Sequence, residues 1–592
     1  MSQNIQIDSF FSREVFIGEI PLGGKNSVRV QSMTNTDPAD IEATVNQIIE
    51  LSEAGSEYVR ITIPAIKNAK DLKAIKELLK KKNCNVPIIT DVHFNPKVAK
   101  IAARIVEKVR INPGNFAEIK QSKKDVFTEK ENNEALEKIK IQFSSLINIC
   151  KKHNTALRIG TNHGSLSERI LNRFGNTPLG MAESALEYLR ICQELDFHNI
   201  VLSMKASNPQ FMIEACRILV NKMKIENMNY PLHLGVTEAG EGEDARIKSA
   251  IGIGTLLLDG IGDTIRVSLA EDPVEEIPFA KALVENCKKR QESNSFVLKN
   301  KIFNTANTSE IKKLSDKVIV ISDFSSQSKT KADFYFIENI ESIPKTDKKI
   351  IYKFDKNIKQ LENLFPLFNS EQYLKNKKPD TLHFLKISNS DFKKELLEEI
   401  KKNKKLVIVL KEKNNWDYWK SFSLLSENEI NNPVVLFYNA DAKTKSKLLI
   451  DSSLDLGSIL IEGAGNGIWI NGDYEKLSFD ILQASKRRIS KTEFVICPTC
   501  GRTSYNLQKV SLEIKAKLSH LKGLQIGIMG CIVNGLGEMG DADYGFIGSV
   551  KNKVNLYRKK DLVKSNIYLK DAVSELVKLI KTDGKWVEDD QD

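Results

Sequence analysis

Eight short β-type runs alternate with helical patterns in the first 290 residues, and this alternation restricts the possible folds more than any other feature of the sequence. The runs begin at Val28, Tyr58, Val86, Lys108, Ala156, Asn199, Pro231 and Asp263. After the first run, apolar residues recur at near-helical spacing up to a glycine stop at Gly55. Strands that alternate with helices in this way predict an α/β fold, here a (β/α)8 TIM-type barrel.

Charged and polar side chains lie within or just after each predicted strand. A barrel forms its active site from the C-terminal strand ends, so these side chains should converge. Any one arginine could merely tie a loop to a carboxylate, but four arginines and a lysine together predict a ligand with several negative charges. We predict a site for a phosphorylated or diphosphorylated small molecule, bound by Arg60, Arg110, Asn112, Arg158, Asn162, Lys205, His233, Arg266 and Ser268. Gln31, Asp91 and His93 have similar positions.

Glu238, in the segment VTEAGEG, is a carboxylate among these predicted cations. A lone glutamate is most often a salt-bridge partner. A carboxylate in a cationic cavity is also the natural group to move a proton, because its charged form costs little there. We predict that Glu238 is the catalytic acid or base.

Three cysteines near the C-terminus have the spacing of metal ligands. Cys497 and Cys500 form a Cys-x-x-Cys pair, and Cys531 lies in a glycine-rich stretch seven residues before Glu538. Soft thiolates suit iron–sulfur clusters or zinc, and glycines let the backbone approach the sulfurs. We favour a four-iron cluster with three thiolates and one weak ligand. The other five cysteines occur singly and are predicted to be buried thiols: Cys84, Cys150, Cys192, Cys216 and Cys287.

Two other functions are compatible with parts of this pattern. A zinc-bearing, basic nucleic-acid-binding protein would explain the charge and the Cys-x-x-Cys pair, but zinc needs a fourth Cys or His, and only His520 is near in sequence. It would also need aromatic residues among the basic ones for base stacking. A dithiol oxidoreductase would explain Cys497 and Cys500 but leaves Cys531 and its glycines without a role.

Composition divides the chain into three predicted domains. Residues 1–290 form the barrel, and residues 291–485 lack arginine and cysteine and contain one histidine, His383. Their β-type runs alternate with Lys/Glu-rich helical stretches, which predicts a second α/β, barrel-like domain that acts as a spacer. Residues 486–592 are predicted to be a small α+β domain, with a glycine loop between the strand LQIGIM and the strand KVNLY.

Length and charge set wider limits. A chain of 592 residues is long enough for three or four domains, and a net charge of +11 suits anionic substrates or an acidic protein partner. No apolar run reaches the roughly 18 residues needed to span a membrane. The N-terminus resembles neither a secretory signal nor a transit peptide, so we expect a cytoplasmic protein with no membrane and no nucleic-acid partner.

Long motifs in both end domains identify a family. The stretches CPTCGRTSYNL and GIMGCIVNGLGEMGDADYGFIG closely resemble those of the hydroxymethylbutenyl diphosphate synthases of the methylerythritol phosphate route to isoprenoids. The barrel agrees in QSMTNTD, RINPGN, RIGTNHGSL, SMKAS, HLGVTEAG and IGDTIRVSLAEDPVEEI. The middle segment is similar to the insert of the long, plant-type form. The resemblance covers about the first 285 and the last 105 residues.

This resemblance implies a cofactor, a substrate and partners. The cofactor is a [4Fe-4S] cluster held by Cys497, Cys500, Cys531 and Glu538. The substrate is 2-C-methyl-D-erythritol 2,4-cyclodiphosphate, which is opened and reductively dehydrated with two electrons from ferredoxin or flavodoxin. The resemblance also implies a homodimer in which barrel and cluster domain close on one another across the subunits.

Overall fold

The computed structural model describes residues 10–117, 127–293, 317–324, 331–338, 347–358, 362–441 and 444–588. The first nine residues, on which part of the targeting prediction rests, lie outside this set. The chain forms two compact units, one made of residues 7–285 and 491–592 and the other containing residues 286–490. No helix in the described part of the chain is both long enough and apolar enough to cross a membrane.

The first unit contains the predicted barrel of eight parallel strands. The sheet runs in the order that a (β/α)8 barrel requires, and a bridge between Leu202 and Leu232 joins its two outer strands. The strands are Arg29–Met33, Tyr58–Thr62, Ile88–Asp91, Lys108–Ile111, Ala156–Asn162, Ile200–Lys205, His233–Leu234 and Thr264–Ile265. All eight predicted strands are present, so this fold prediction is confirmed.

The last two strands of this barrel are shorter than their sequence runs predict. Gly235 ends one of them, and a Cβ at this position would lie 2.8 Å from Lys205 Nζ and 2.9 Å from the carbonyl oxygen of Arg266. The backbone therefore approaches the neighbouring strands too closely for a larger residue, and regular pairing ends there.

Helices surround this barrel, and a hairpin closes its lower end. The helices are Ile41–Glu53, Ile66–Lys81, Pro96–Ala102, Pro113–Phe116, Glu129–His153, Glu168–Phe174, Pro178–Glu194, Pro209–Ile225, Gly242–Leu258 and Glu276–Glu292, with a 3-10 turn at Pro273–Glu275. The antiparallel strands Val15–Ile17 and Ile20–Leu22 pack on Tyr58, Ala156 and Val201 near the strand starts. One end of the barrel is therefore filled with apolar side chains, and the other remains available for ligands.

The second unit is also a closed barrel of eight parallel strands. Its strands are Ile319–Asp323, Phe334–Ile337, Ile350–Lys353, Leu364–Phe368, His383–Ile387, Leu406–Lys411, Val434–Tyr438 and Gly467–Ile470. Its helices are Ser370–Lys375, Lys394–Lys402, Asn415–Glu427, Lys445–Ser452, Ser458–Ile461 and Glu475–Ala484, with a 3-10 turn at Asn389–Asp391 and a π-helical turn at Ser453–Gly457. Phenylalanine, valine and isoleucine side chains fill its interior, together with the buried Trp469.

The sequence patterns misplaced parts of this second barrel. The run GSILIEG is one of the β-type runs of residues 291–485 in the sequence, but Ser458–Ile461 is helical. The strand Leu364–Phe368 was missed because Pro366 lacks the N–H group of a regular strand residue and argues against a central strand. A short apolar run fits a buried helix or a buried strand equally well, so periodicity alone could not separate these cases.

The C-terminal domain packs within the first unit as a five-stranded mixed sheet. Its strands, in spatial order, are Glu493–Ile496, Gln525–Met529, Tyr544–Gly548, Lys553–Arg558 and Asp561–Tyr568, of which the first three are parallel. Its helices are Leu507–Leu518, Ile532–Glu538 and Leu569–Thr582. The α+β prediction is confirmed, but the predicted glycine loop is wrong in detail, because it contains a short helix and the central strand Tyr544–Gly548.

Candidate active site

Neighbouring strands of the first barrel bring charged side chains to one level. Asp91 lies opposite Arg110 on the next strand, and Arg110 lies opposite Arg158 on the strand after it. Residues that pair directly in parallel strands point to the same side of the sheet. These three side chains therefore lie together at the C-terminal end of the barrel.

A cavity at this end of the barrel is lined by residues of the barrel and of the C-terminal domain. The predicted site residues that line it are Arg60, Arg110, Arg158, Asn162, Lys205, Glu238, Arg266, Ser268, Cys497, Cys500, Cys531 and Glu538. Two predicted binding residues do not line the cavity. Asn112 accepts a hydrogen bond from the Gly114 amide at 3.2 Å and begins a short helix. His233 is fully buried in its strand.

The cations of the cavity differ in how they are paired. Arg110 donates to Asp91 Oδ1 at 2.8 Å, and Arg60 donates to Asp91 Oδ2 at 3.2 Å. Within the described residues, neither Arg158 nor Lys205 has a carboxylate within ion-pair distance of its side chain, although both are buried. Two positive side chains without counter-ions thus face the same space. Burial of an unpaired charge is costly, so an anionic ligand would stabilise this arrangement.

The pKa values and the unpaired N–H groups of the cavity also indicate an anionic ligand. Burial lowers the pKa of Arg158 and of Lys205 well below the usual values, and the neighbouring arginines add to this effect. Burial also lowers the pKa of Arg60 to about 10. Several buried N–H groups of the cavity have no partner among the described residues: Arg60 Nε, Arg110 Nε, Arg158 Nε and Arg158 Nη1. A diphosphate has enough oxygens to accept from all of them.

Asp91 and His93 organise the paired part of the cavity. Burial alone would raise the pKa of Asp91, but Arg60, His93 and Arg110 hold it well below its usual value. His93 Nε2 lies 3.2 Å from Asp91 Oδ2, and burial lowers the pKa of this histidine to about 4. Asp91 is therefore charged and His93 neutral near pH 7.

Glu238 occupies a strained position between barrel and C-terminal domain. Its φ angle is 48°, in the left-handed region that non-glycine residues rarely adopt. Its Oε1 accepts from the Thr237 hydroxyl at 2.5 Å, and its carbonyl oxygen accepts from the Ile496 amide at 3.2 Å. Burial raises the pKa of Glu238 well above its usual value, and the nearby Glu538 carboxylate adds to this. The carboxyl group can therefore carry a proton inside the cavity.

The three cysteines lie at strand ends of the C-terminal domain, in contact with closely packed backbone. Cys497 follows the strand Glu493–Ile496, and the Gly530 amide donates to its Sγ at 3.1 Å. A Cβ on Gly530 would lie 2.8 Å from Thr503 Cγ2, so only glycine fits beside Cys531. Burial raises the pKa of Cys497 well above its usual value, with the two other thiols contributing. Burial thus favours the neutral form of Cys497 unless a metal binds its thiolate.

The predicted donor set of the cavity consists of three thiols and one carboxylate. Within the described residues, no three His, Cys, Asp or Glu side chains are close enough to hold one metal ion. Around an iron–sulfur cluster each ligand binds a different iron, so the ligands stand further apart. Cys497, Cys500, Cys531 and Glu538 all line the cavity, so they are the residues that could hold such a cluster.

Glu538 ends the helix Ile532–Glu538 and connects the two domains. Its Oε1 accepts from Asn162 Nδ2 at 2.9 Å. Beside it, Gly164 and Gly537 touch backbone to backbone, since a Cβ on Gly164 would lie 2.0 Å from the Gly537 carbonyl oxygen. The helix can approach the barrel loop this closely only because both positions are glycine.

The C-terminal domain covers the barrel end of its own chain. Lys491 pairs with Asp244 at 2.8 Å, and Lys515 pairs with Glu241 at 3.0 Å. Together with the Ile496 backbone hydrogen bond, these contacts assemble the cavity within one chain. The expected closure across two subunits is therefore not needed to bring thiols and barrel end together. The homodimer itself stays a prediction.

Sequence reasoning missed Arg502 as a residue of this cavity. Its Nη2 lies 3.9 Å from Asp91 Oδ2, and Cys500 is only two residues away in sequence. The side chain lines the cavity between the thiols and the barrel cations. Its position two residues after the Cys-x-x-Cys pair does not by itself place the side chain beside the barrel.

Comparisons with known proteins agree for both parts of this cavity. The model of the GcpE TIM-barrel domain matches residues 12–281, and that of the GcpE protein C-terminal domain matches residues 493–582. The chain is similar to proteins named 4-hydroxy-3-methylbut-2-en-1-yl diphosphate synthase (flavodoxin). The one from Parabacteroides distasonis is 43% identical over 96% of this chain and 97% of its own.

Two further relatives with the same name show the same coverage. The protein of Phocaeicola vulgatus is 42% identical over 98% of both chains. That of Protochlamydia amoebophila is 39% identical over 98% of this chain and 96% of its own. Alignments of this extent include the second barrel, which lies between the two regions that the family models match.

Proposed function

Because the chain belongs to the GcpE family, we propose that it converts 2-C-methyl-D-erythritol 2,4-cyclodiphosphate into 4-hydroxy-3-methylbut-2-enyl diphosphate, a step of the methylerythritol phosphate pathway of isoprenoid biosynthesis. Counted as free acids, the cyclodiphosphate, two electrons and two protons give the linear diphosphate and one water. One bond from carbon to a phosphate oxygen breaks, a hydroxyl leaves as water and a carbon–carbon double bond forms. The enzyme is an oxidoreductase, and residues 1–290 bind the substrate in this proposal.

The observation that carries the proposal is one cavity with two chemically different walls. The barrel wall contains Arg158 and Lys205, which have no carboxylate partner in the described part of the chain, and the opposite wall contains Cys497, Cys500 and Cys531. A cyclic diphosphate supplies the negative charge that the barrel wall lacks. Its carbon skeleton then lies between the diphosphate and the thiols, where electrons are needed.

We assign the thiols and Glu538 as ligands of a [4Fe-4S] cluster carried by residues 486–592. When bound, the cluster supplies the electrons and a Lewis-acidic iron for the carbon–oxygen bonds. Asn162 would orient the Glu538 carboxylate through the 2.9 Å hydrogen bond. The cluster type, like the site roles, rests on the family resemblance and on the donor set.

The residues of this chain divide the remaining tasks. Arg60, Arg110, Arg158, Lys205 and Arg266 with Ser268 bind the diphosphate, and Arg502 adds positive charge near the thiols. Glu238 delivers a proton to the leaving hydroxyl, because it is 2% exposed and is fixed by Thr237 at the meeting point of both walls. The covering C-terminal domain excludes water, which strengthens each of these interactions.

The proposal also includes a cellular compartment, an electron donor and an oligomeric state. Eight free cysteines suit a reducing compartment, so we propose a cytoplasmic enzyme. Flavodoxin is the donor in the names of the relatives, and we propose it, or ferredoxin, for this chain as well. A homodimer and the spacer role of residues 291–485 are parts of the proposal that rest on the family resemblance and on composition.

Anaerobic reconstitution tests the proposal. The purified protein is loaded with iron and sulfide, reduced and incubated with the cyclodiphosphate, and the product is identified by mass spectrometry. We expect the linear diphosphate and four irons per chain, and we expect Cys531→Ser to lose most of the iron. Conversion without any iron–sulfur content, or a full iron complement in Cys531→Ser, would refute the assignment. Cys150→Ser is the matched control, because that thiol is buried in a helix and should leave iron content unchanged.

A further inference from the structure

An exposed corner of the C-terminal domain adjoins the cysteine-bearing segments on their outer side. The parallel strands Gln525–Met529 and Tyr544–Gly548 end at the same edge, and Cys531 and the turn 549–552 follow them. This turn packs against the cysteine segments, because the Ser504 amide donates to the Gly530 carbonyl at 3.0 Å and the Asn552 amide donates to the Ser504 carbonyl at 3.1 Å. Electrons that enter at this corner have a short path to the thiols.

Apolar side chains are exposed at this corner and not in the cavity. Ile532, Val550 and Tyr568 are 48%, 58% and 59% exposed. Ile532 directly follows Cys531, and Tyr568 pairs with Lys553 beside the turn. Single exposed apolar residues are ordinary on protein surfaces, but three next to one cofactor site indicate a contact surface.

Positive charge surrounds these apolar side chains. Of the seven lysines and arginines in residues 549–570, Lys551, Lys553 and Lys570 stand at the corner. Lys551 and Lys570 are exposed at the corner, and Lys553 Nζ lies 4.6 Å from the Tyr568 ring centroid. Leu569, next to Lys570, donates its amide to the Asn552 carbonyl at 3.1 Å, which places the start of the last helix beside the turn. Lys570 stands in the first turn of that helix, where a positive charge opposes the helix dipole.

We propose that this corner, formed by Ile532, Val550, Lys551, Lys553, Tyr568 and Lys570, is the docking surface for the protein electron donor, a reduced flavodoxin-type protein that presents carboxylates around its flavin. The inference rests on the proposed function. Barrel residues face the inner side of the thiols, so we assign the outer side to the donor protein. A small apolar centre with a lysine rim is typical of brief, electrostatically steered contacts.

The stoichiometry of the reaction favours such a brief contact. In each encounter one reduced flavin would lose one electron, and a cluster held by the thiols and Glu538 would accept it. Two encounters supply the two electrons that the substrate consumes, so a one-electron donor must bind and leave twice in each turnover. Exposed lysines accelerate association without slowing release, whereas a large apolar interface would retain the donor.

Charge reversal separates docking from chemistry. The test variant is Lys551→Glu with Lys570→Glu, and the control is Lys559→Glu with Lys560→Glu. The control makes the same change at the far end of the same hairpin, where both lysines are exposed. Turnover of the cluster-loaded enzyme is measured with reduced flavodoxin and, separately, with reduced methyl viologen, which is too small to need a docking surface.

We expect the KM for flavodoxin to rise at least tenfold in the test variant and less than threefold in the control. Viologen-driven turnover should stay unchanged in both, and added salt should slow only the flavodoxin reaction of the unaltered enzyme. An unchanged KM, an equal rise in the control, or a parallel loss of viologen-driven turnover would overturn the docking proposal. Absence of viologen-driven turnover in the unaltered enzyme would instead refute the proposed function itself.

Discussion

The two barrels of this chain have the same architecture and opposite interiors. Both consist of eight parallel strands. The first carries charged residues at the C-terminal strand ends, among them Asp91, Arg110 and Arg158, and all three are nearly inaccessible to solvent. The second places Phe384, Phe437 and other apolar side chains in its interior. The difference shows that the strands and helices of such a barrel specify the fold, while the inward-facing residues decide whether it can bind a ligand.

Several polar groups of the second barrel are hydrogen-bonded within it. Trp469 Nε1 donates to Asp323 at 2.9 Å, and the Gly472 amide donates to the same carboxylate at 2.6 Å. His383 is fully buried between the Thr381 carbonyl, 2.8 Å away, and Asn403. These residues stabilise the barrel. In the first barrel, by contrast, neither Arg158 nor Lys205 has a carboxylate partner among the described residues.

The largest difference between the barrels should appear when a buried carboxylate after a strand is neutralised. Glu238→Gln should keep the cluster spectrum and lose about 10²–10⁴-fold in turnover, because a general acid contributes this much. The matched change in the second barrel is Glu412→Gln. Glu412 also follows a strand and accepts from the Asn389 amide at 2.7 Å.

Steady-state turnover and the visible spectrum are measured for both variants. Glu412→Gln should stay within about threefold of normal. Comparable losses in the two variants would remove the distinction between the barrels. Loss of the cluster spectrum in Glu238→Gln would show that this residue holds the cluster and does not serve only as proton donor.

The unpaired cations should show the next largest effect. Removing a charge-assisted hydrogen bond from a bound diphosphate costs about 1.5–3 kcal/mol, so Arg158→Ala or Lys205→Ala should lower kcat/KM roughly ten- to a hundredfold. The matched control is Lys386→Ala. Lys386 Nζ lies 3.2 Å from the Phe437 ring centroid in the second barrel, and burial lowers its pKa to about 8.

Initial rates over a range of substrate concentrations separate these variants. Lys386→Ala should leave kcat/KM within about twofold of normal. If Arg158→Ala and Lys205→Ala also left it unchanged, the anion site would have to lie elsewhere.

One substitution in each barrel should change the thermal stability, with an increase in the first barrel and a decrease in the second. Lys108 is 0% exposed, and its Nζ has no hydrogen-bond partner among the described residues. Lys108→Met removes a buried, unsatisfied amine and should stabilise the first unit by about 1–3 kcal/mol. Val407→Thr puts a hydroxyl into the apolar interior of the second barrel and should destabilise that unit by a similar amount.

Calorimetric unfolding of the cluster-loaded protein measures both changes. A lower transition temperature for Lys108→Met would mean that the amine has a partner that stabilises the barrel.

The smallest effect on turnover is expected for the satisfied polar residues of the second barrel. His383→Ala and Asp323→Ala remove hydrogen bonds that stabilise the fold, so the unfolding temperature should fall. Turnover of the folded protein should stay within a few-fold of normal, as should that of Glu338→Ala and Asn439→Ala. A single alanine here that abolished turnover in a folded, cluster-loaded protein would place the second barrel in the active site.

The sequence predicted the first barrel well because each strand there combines an apolar run with a strand-end charge. It failed where one signal contradicted another. Pro366 hid a strand, and the apolar run before Glu462 was helical. Both errors lie in the second barrel. Its short apolar runs are not followed by the charged and polar residues that mark the strand ends of the first barrel.

The predicted site shows the same limit. Most of the side chains that line the cavity were predicted from two criteria, a charged or polar residue type and a position within or just after a predicted strand. Asn112 and His233 met both criteria, yet one caps a short helix and the other is buried in its strand. Arg502 was missed because its part in the cavity depends on the contact between two domains, which no local pattern records. The helix that carries Glu538 was hidden by its glycines, which are poor helix formers.

Binding of the cyclodiphosphate tests most directly that only the first barrel holds the ligand. Titration calorimetry under anaerobic conditions is carried out on the cluster-loaded, oxidised enzyme, in which no turnover occurs. We expect one site per chain, at least a hundredfold weaker binding in the Arg158→Ala, Lys205→Ala double variant, and unchanged binding in Lys386→Ala. Two sites per chain, or full affinity in the double variant, would contradict the account.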